Sequence, residues 1–147
     1  MQIISTNNLN NARKLIQKIR KEDPDEEIAV QAQDDNFNRK ILEYKDVDIL
    51  LNPHFNKRKD KLKQRDSGLN EVLCKIAVKN NIKIGIDLNS LTKLQKKEKA
   101  IALSRIIQNI KLCKRTKTSI IFIPKQNRLD IISFFKVLKG STNQLNL

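Results

Sequence analysis

Val47-Asp48-Ile49-Leu50-Leu51-Asn52-Pro53-His54 is a short, almost unbroken apolar run closed by an Asn-Pro turn. A strand with one solvated face alternates apolar and polar residues. A strand that is apolar throughout is covered on both faces, as in a parallel sheet. Similar runs stand on either side. Ile3-Ile4 and Ile28-Ala29-Val30 precede it, and Ser119 to Ile123 follows. In between, Ile82, Ile84, Ile86 and Leu88 alternate with Lys83, Gly85 and Asp87 as a fourth strand.

The segments that join these strands read as helices. Ala12, Leu15, Ile16 and Ile19 form one face of a helix over 11–21, which Pro24 ends. Phe37, Ile41 and Tyr44 mark a short second helix. Ser67 is the expected N-cap of a third, with the stripe Leu69, Val72, Leu73, Ile76, Ala77, stopped at Asn80-Asn81. Leu103, Ile106, Ile107 and Ile110 face the core from a long helix over 96–115. Ile131, Ile132, Phe135 and Leu138 do so from a last one, with Gly140 as its C′ residue.

Strict β-α alternation predicts parallel strands with right-handed crossovers, five β-α units in all. They fit an open sheet or a section of a (β/α) barrel. A full eight-unit barrel takes on the order of 200 residues or more, and this chain has 147. The expectation is therefore an α/β fold, a partial TIM-barrel-like domain over 1–140 with a basic loop at 56–65 and a flexible tail at 141–147.

Composition narrows the function classes. With 39% hydrophobic residues the chain can bury a core, so whole-chain disorder is excluded. No apolar run approaches 18 residues, so no membrane partner is expected, and Met1 to Thr6 lacks the pattern of a secretory leader. Cys74 and Cys113 have no second Cys or His at metal spacing and read as small core hydrophobes. A cytoplasmic, reduced protein is expected.

The formal net charge is +14, and it is unevenly placed. Up to His54 there are 8 Lys+Arg and 10 Asp+Glu, net −2; beyond it there are 22 and 6, net +16. Such asymmetry is the usual footprint of a polyanion partner. The densest cluster is Lys57-Arg58-Lys59-Asp60-Lys61-Leu62-Lys63-Gln64-Arg65, with six basic residues in nine. A flexible basic loop can track a phosphate backbone and release counterions; a solvated loop without a partner is the plainer reading. On the long helix, Lys97, Ser104, Gln108, Lys111 and Arg115 share a face opposite the core stripe. That suits phosphate and sugar contacts, or an ordinary solvated surface. Arg65 beside Asp66 could form a fixed ion pair or offer its guanidinium to a phosphate.

His54 is the one histidine, too few for a site of two or three metal ions. Asp34, Asp35 and Asp87 at strand ends read as caps or barrel-mouth hydrogen bonders. With three glycines there is no nucleotide-phosphate cradle. One Tyr and no Trp leave no stacking platform for single strands, so any RNA should be held by backbone and shape.

Arg65-Asp66-Ser67-Gly68-Leu69-Asn70-Glu71-Val72-Leu73, followed by Ile84-Gly85-Ile86-Asp87-Leu88 and a long charged helix, resembles archaeal ribonuclease P protein component 3, the relative of the eukaryotic thirty-kilodalton subunit. The resemblance covers about Asp34 to Gly140, including the strand before the Arg65, Asp66, Gly68 motif. The chain departs from the family's pattern at Asn89-Ser90 and Pro124-Lys125-Gln126, and its basic loop is expanded. The resemblance implies a (β/α) barrel-like fold without a metal site and without a protein active site. It implies a subunit of the ribonucleoprotein that removes the 5′ leader of precursor tRNA. There the RNA catalyses with Mg²⁺, and the protein pairs with ribonuclease P protein component 2.

On this reading, Lys57, Arg58, Lys59, Lys61, Lys63 and Arg65 contact the backbone of the ribonuclease P RNA, and Lys97, Lys111 and Arg115 extend the surface. No cofactor is held by the protein itself, and precursor tRNA is met only indirectly. The alternative is a general basic RNA- or ribosome-binding module that keeps the fold without the complex.

Overall fold

The computed structural model describes residues 1–55, 58–124 and 126–146. Among them, five strands form one parallel sheet in the order β1 (Gln2–Ile4), β2 (Ile28–Gln31), β3 (Ile49–Leu51), β4 (Lys83–Asp87), β5 (Ile120–Ile123). The helices are α1 (Leu9–Glu22), α2 (Asp35–Leu42), α3 (Glu71–Lys79), α4 (Leu88–Thr92), α5 (Lys96–Thr116) and α6 (Arg128–Val137). The short α4 was not anticipated. Asp87 starts it by accepting from the Asn89 amide at 2.9 Å.

Strand order follows chain order without reversal, and every helix packs on the same side of the sheet. Ile4, Ile28, Val30, Leu50, Ile84, Ile86, Ile120 and Phe122 point to that side and form one cluster with the helices. Their alternates Ala29, Ile49, Leu51, Ile121 and Ile123 form a separate cluster made of strand residues alone. A doubly wound sheet would reverse its order and carry helices on both faces. One-sided helices over a sequentially ordered sheet are the arrangement of a (β/α) barrel. Here it is a partial one, because the sheet does not close. Gly85 tightens its inner face: a Cβ there would sit 2.7 Å from Ile49 Cγ2 and 2.9 Å from Leu51 Cδ1.

Helix starts follow capping chemistry. Asn8, Asp34 and Asn70 each accept from amides of the first turn. The third helix therefore begins at Asn70, not at Ser67. Gly68 has φ +78, which no helix start tolerates at that point, and Leu69 is buried ahead of the helix. Val72 and Leu15, expected in core stripes, are exposed; the buried stripe of α3 is Leu73, Cys74, Ala77. At the end of α6 the left-handed residue is Lys139 (φ 64), not Gly140. Gly140 is needed for space, since a Cβ there would lie 2.2 Å from the buried Phe135 ring.

The residues after Gly140, read as a flexible tail, are docked as far as Asn146. Gln144 is buried and donates to Ile110 O at 2.9 Å. Leu145 makes a parallel bridge with Ile120, and the Asn146 amide donates to Ile120 O at 2.9 Å. This segment satisfies the first position of the β5 edge. Leu147 lies outside the described residues. No described helix is long and apolar enough to cross a membrane.

Candidate nucleic-acid interface

The chain leaves β3 through Asn52, whose φ of 53 turns it sharply and whose Oδ1 accepts from the Asp87 amide at 2.8 Å. A 3₁₀ turn over Pro53–Phe55 follows and buries His54. From Arg58 the loop crosses α5 and folds into a tight hairpin. Lys61 and Gln64 exchange backbone hydrogen bonds of 2.9 and 3.2 Å, leaving Leu62 and Lys63 at the tip. Lys59, Lys61, Lys63 and Arg65 are exposed. Lys57 lies outside the described residues.

The hairpin is strapped down by the acids inside and after it. Asp60 accepts from Arg65 Nη1 at 2.7 Å through one oxygen. Through the other it accepts from Arg105 Nη2 at 3.0 Å and from the Asp66 amide at 2.8 Å. Arg105, on α5, is buried and also donates to the Arg58 carbonyl at 3.0 Å. The Arg65 guanidinium above all, then the Asp66 amide and Arg105, hold the Asp60 carboxyl well below the usual carboxylate range. Arg58 is turned inward: its side chain is 10% exposed, 2.6 Å from Asp35 and 3.3 Å from Asp66, with Nη2 donating to Gln33 O at 3.2 Å. Arg65 and Asp66 do not pair with each other. Each pairs across the loop, and Asp66 Oδ1 also accepts from the Gly68 amide at 3.1 Å. Asn109, one turn beyond Arg105, ties the end of the loop by donating to Ser67 O at 3.1 Å.

The acids read as caps or mouth residues are placed so. Asp34 caps α2, Asp35 pairs with Arg58, and Asp87 caps α4 with a further bond from Ser90. His54 is 1% exposed, and its ring lies 4.4 Å from that of Phe55. Burial first, and the Arg105 charge second, push its pKa down to about 3, so the ring is neutral. Among the described residues, no three His, Cys, Asp or Glu side chains gather to hold a metal.

Lys97, Lys111 and Arg115 are all exposed on α5. At 100° per residue they fall roughly 80° to 120° around the helix from Arg105, beside the point where the hairpin is anchored. Gln108 on the same side lines a cleft with Lys61, Gln64 and Arg65. The structure thus brings Gln108 of this side of α5 against the hairpin; Lys97, Lys111 and Arg115 share that side about 9 to 15 Å along the helix from Arg105, and Arg115 lies 3.9 Å from Glu71. Sequence reading missed Arg105, Asn109 and Asp60. A usable signal existed: Arg105 and Asn109 stand at i, i+4, directly before the core residues Ile106 and Ile110, where an unburied polar pair would have been out of place.

The strap has a measurable consequence. Asp60→Asn is expected to speed hydrogen exchange of the Lys61 and Gln64 amides by about tenfold or more at neutral pH. In the native chain this protection should hold above the ordinary Asp value of 3.8 and fade as pH falls below it, because the carboxyl titrates lower in the fold than in the unfolded chain. Equal exchange in the variant would show that the hairpin stands without the strap.

No family model matches the chain. It is 29% identical over 142 residues to ribonuclease P protein component 3 of Methanococcus vannielii, covering 97% of this chain and 58% of that protein. It is 30% identical over 118 residues to the component 3 of a Methanococcus maripaludis strain, covering 80% and 47%. The chain thus spans about half the length of the curated relatives it matches. Its fold superposes on a chain of the cryo-EM structure of archaeal ribonuclease P with mature tRNA, with a TM-score of 0.74 and 24% identity, covering 94% of this chain and 59% of that one. Along nearly its whole length the chain is similar to archaeal ribonuclease P protein component 3, and it shares the fold of a chain of archaeal ribonuclease P.

Proposed function

We propose that the chain is a protein subunit of ribonuclease P that binds and supports the catalytic RNA during 5′-leader removal from precursor tRNA. The observation that carries this reading is the strapped basic hairpin anchored on α5, on a fold shared with a chain of archaeal ribonuclease P. Lys59, Lys61, Lys63 and Arg65 meet the RNA backbone, and Lys97, Lys111 and Arg115 continue that contact along about 27 Å of helix. Arg58 serves as a positioning residue, since its guanidinium is committed to Asp35 and Asp66. Chemistry belongs to the RNA and its Mg²⁺; the protein supplies positive charge in fixed places. Ribonuclease P protein component 2 is the protein partner that goes with this role, and the cytoplasm is its place.

The test is to tag the chain in its own cells, purify it and sequence the RNA it holds. One structured RNA with a ribonuclease P core, together with component 2, is the expected result. A broad mixture of ribosomal and transfer RNA would favour a general RNA-binding module instead. With the recovered RNA as probe, changing Lys59, Lys61 and Lys63 to Ala should lower the slope of log affinity against log salt by roughly one per lost contact. An unchanged slope would remove the hairpin from the interface.

A further inference from the structure

We propose that the hairpin carries an apolar wedge: Leu62 inserts at an unstacked or bulged step of a structured RNA while the surrounding cations hold the backbone on either side. This rests on the RNA-binding reading above and adds a contact of a different chemical kind.

Leu62 is fully exposed, with a relative exposure of 106%, the highest among the exposed large hydrophobic side chains. Position matters more than exposure, because single apolar residues on a surface are ordinary. Leu62 stands at the tip of a two-residue turn, where Gly, Asn, Asp or Ser would be the usual choices. Nothing in the turn calls for an aliphatic side chain there, and it contributes nothing to either core cluster.

The tip is also held in place. The Lys61–Gln64 bonds close the turn, and Asp60 ties its base to Arg65 and to the buried Arg105 on α5. A side chain presented on a strapped hairpin has already lost much of the freedom that binding would otherwise cost.

The neighbours of Leu62 name the partner. Lys59, Lys61, Lys63, Gln64 and Arg65 are its exposed companions in the hairpin, and no apolar residue lies among them. An apolar peg for a protein pocket would sit in an apolar surround. A peg ringed by cations suits a polyanion. Inserted aliphatic side chains flanked by basic residues are an established physical means of gripping nucleic acid at an unstacked step. Structured RNA offers such steps in its loops and bulges. The chain's poverty in aromatics fits this picture, since an aliphatic wedge needs no stacking platform.

The experiment uses the RNA recovered with the tagged chain and compares Leu62→Ala, Leu62→Phe and the double variant Lys61→Ala/Lys63→Ala. Loss of the wedge should weaken binding by about tenfold at every salt concentration and leave the salt slope unchanged, because an apolar contact releases no counterions. Leu62→Phe should retain native affinity. The double lysine variant should instead reduce the slope by about two. The hairpin's exposure means that these variants fold, which the thermal midpoint checks. Affinity of Leu62→Ala within twofold of native would overturn the wedge while leaving the RNA-binding reading intact. So would loss of a co-purified protein, and no RNA, in that variant, which would mark Leu62 as a protein contact. Recovery of no RNA by the native chain would overturn both.

Discussion

Acidification from about pH 7 to about pH 4.5 is expected to cost the fold about 2 to 3 kcal/mol through His54 alone. In the unfolded chain the imidazole takes a proton near its ordinary value of 6.5; in the fold it stays neutral until about pH 3. Between those values the unfolded state binds the extra proton, so stability falls as pH falls and levels off below the folded value. Two physical causes act together. The ring is buried against Phe55, and the Arg105 guanidinium adds its positive charge; Arg58 and Glu98 line the same cleft. Neither ring nitrogen has a hydrogen-bond partner among the described residues, so nothing repays the charging of the ring.

The measurement is the thermal midpoint against pH, with His54→Leu as the comparison. The native chain should lose roughly 5 to 10 °C across the window, and the variant should stay nearly flat until the carboxylates begin to titrate. The variant should cost little at neutral pH, since it removes two unpartnered buried nitrogens. Parallel curves for the two proteins would show that the imidazole is not the group responsible.

Gly68→Ala is expected to destabilise the chain by about 3 kcal/mol or more. Two penalties coincide at this position. Its φ of +78 lies in the left-handed region, which glycine alone enters without cost. A Cβ there would also lie 2.0 Å from the Pro53 carbonyl oxygen and 3.3 Å from Arg58 Nε. The first contact is with backbone, so it cannot be relieved by a rotamer change. Relief would have to move the turn that buries His54 or the loop that ends at Asn70. Val72→Ala, a few residues on and exposed, should change stability by less than about 0.5 kcal/mol and is the control. Tolerance of Ala at 68 within about 1 kcal/mol would mean that the two loops are not in close packing. The same geometry explains the Arg65, Asp66, Gly68 motif: Asp66 closes the turn on the Gly68 amide, and Gly68 lets the turn touch Pro53.

Much of the architecture was legible because its signals are local. Ile120 to Ile123 reads as a strand from its own residues, and Ile16 and Ile19 announce a buried helix face from their spacing. Helix ends were harder. Ser67 suits an N-cap by residue type, but the left-handed Gly68 after it keeps the helix from starting there, and Asn70 caps it instead. Gly140 looked like a C′ glycine, but Lys139 bears the left-handed turn and Gly140 makes room for Phe135. The basic loop showed its charge but not its shape. Its lysines read as a flexible cationic run, whereas Asp60 and Asp66 convert that run into an anchored hairpin.

The order of the five strands and of the helices other than α4, the parallel class of the sheet and the confinement of the excess positive charge to the residues after His54 are all legible in the residues themselves. Each of these is a property of neighbouring residues or of their sum. That Arg58 turns inward, that Arg105 is buried as an anchor and that the segment after Gly140 docks on β5 follow from the folded arrangement alone. Those outcomes depend on partners far apart in the chain, 45 positions in the case of Asp60 and Arg105. A charge is exposed or spent according to what the fold brings beside it, and hydrophobic periodicity carries no record of that meeting.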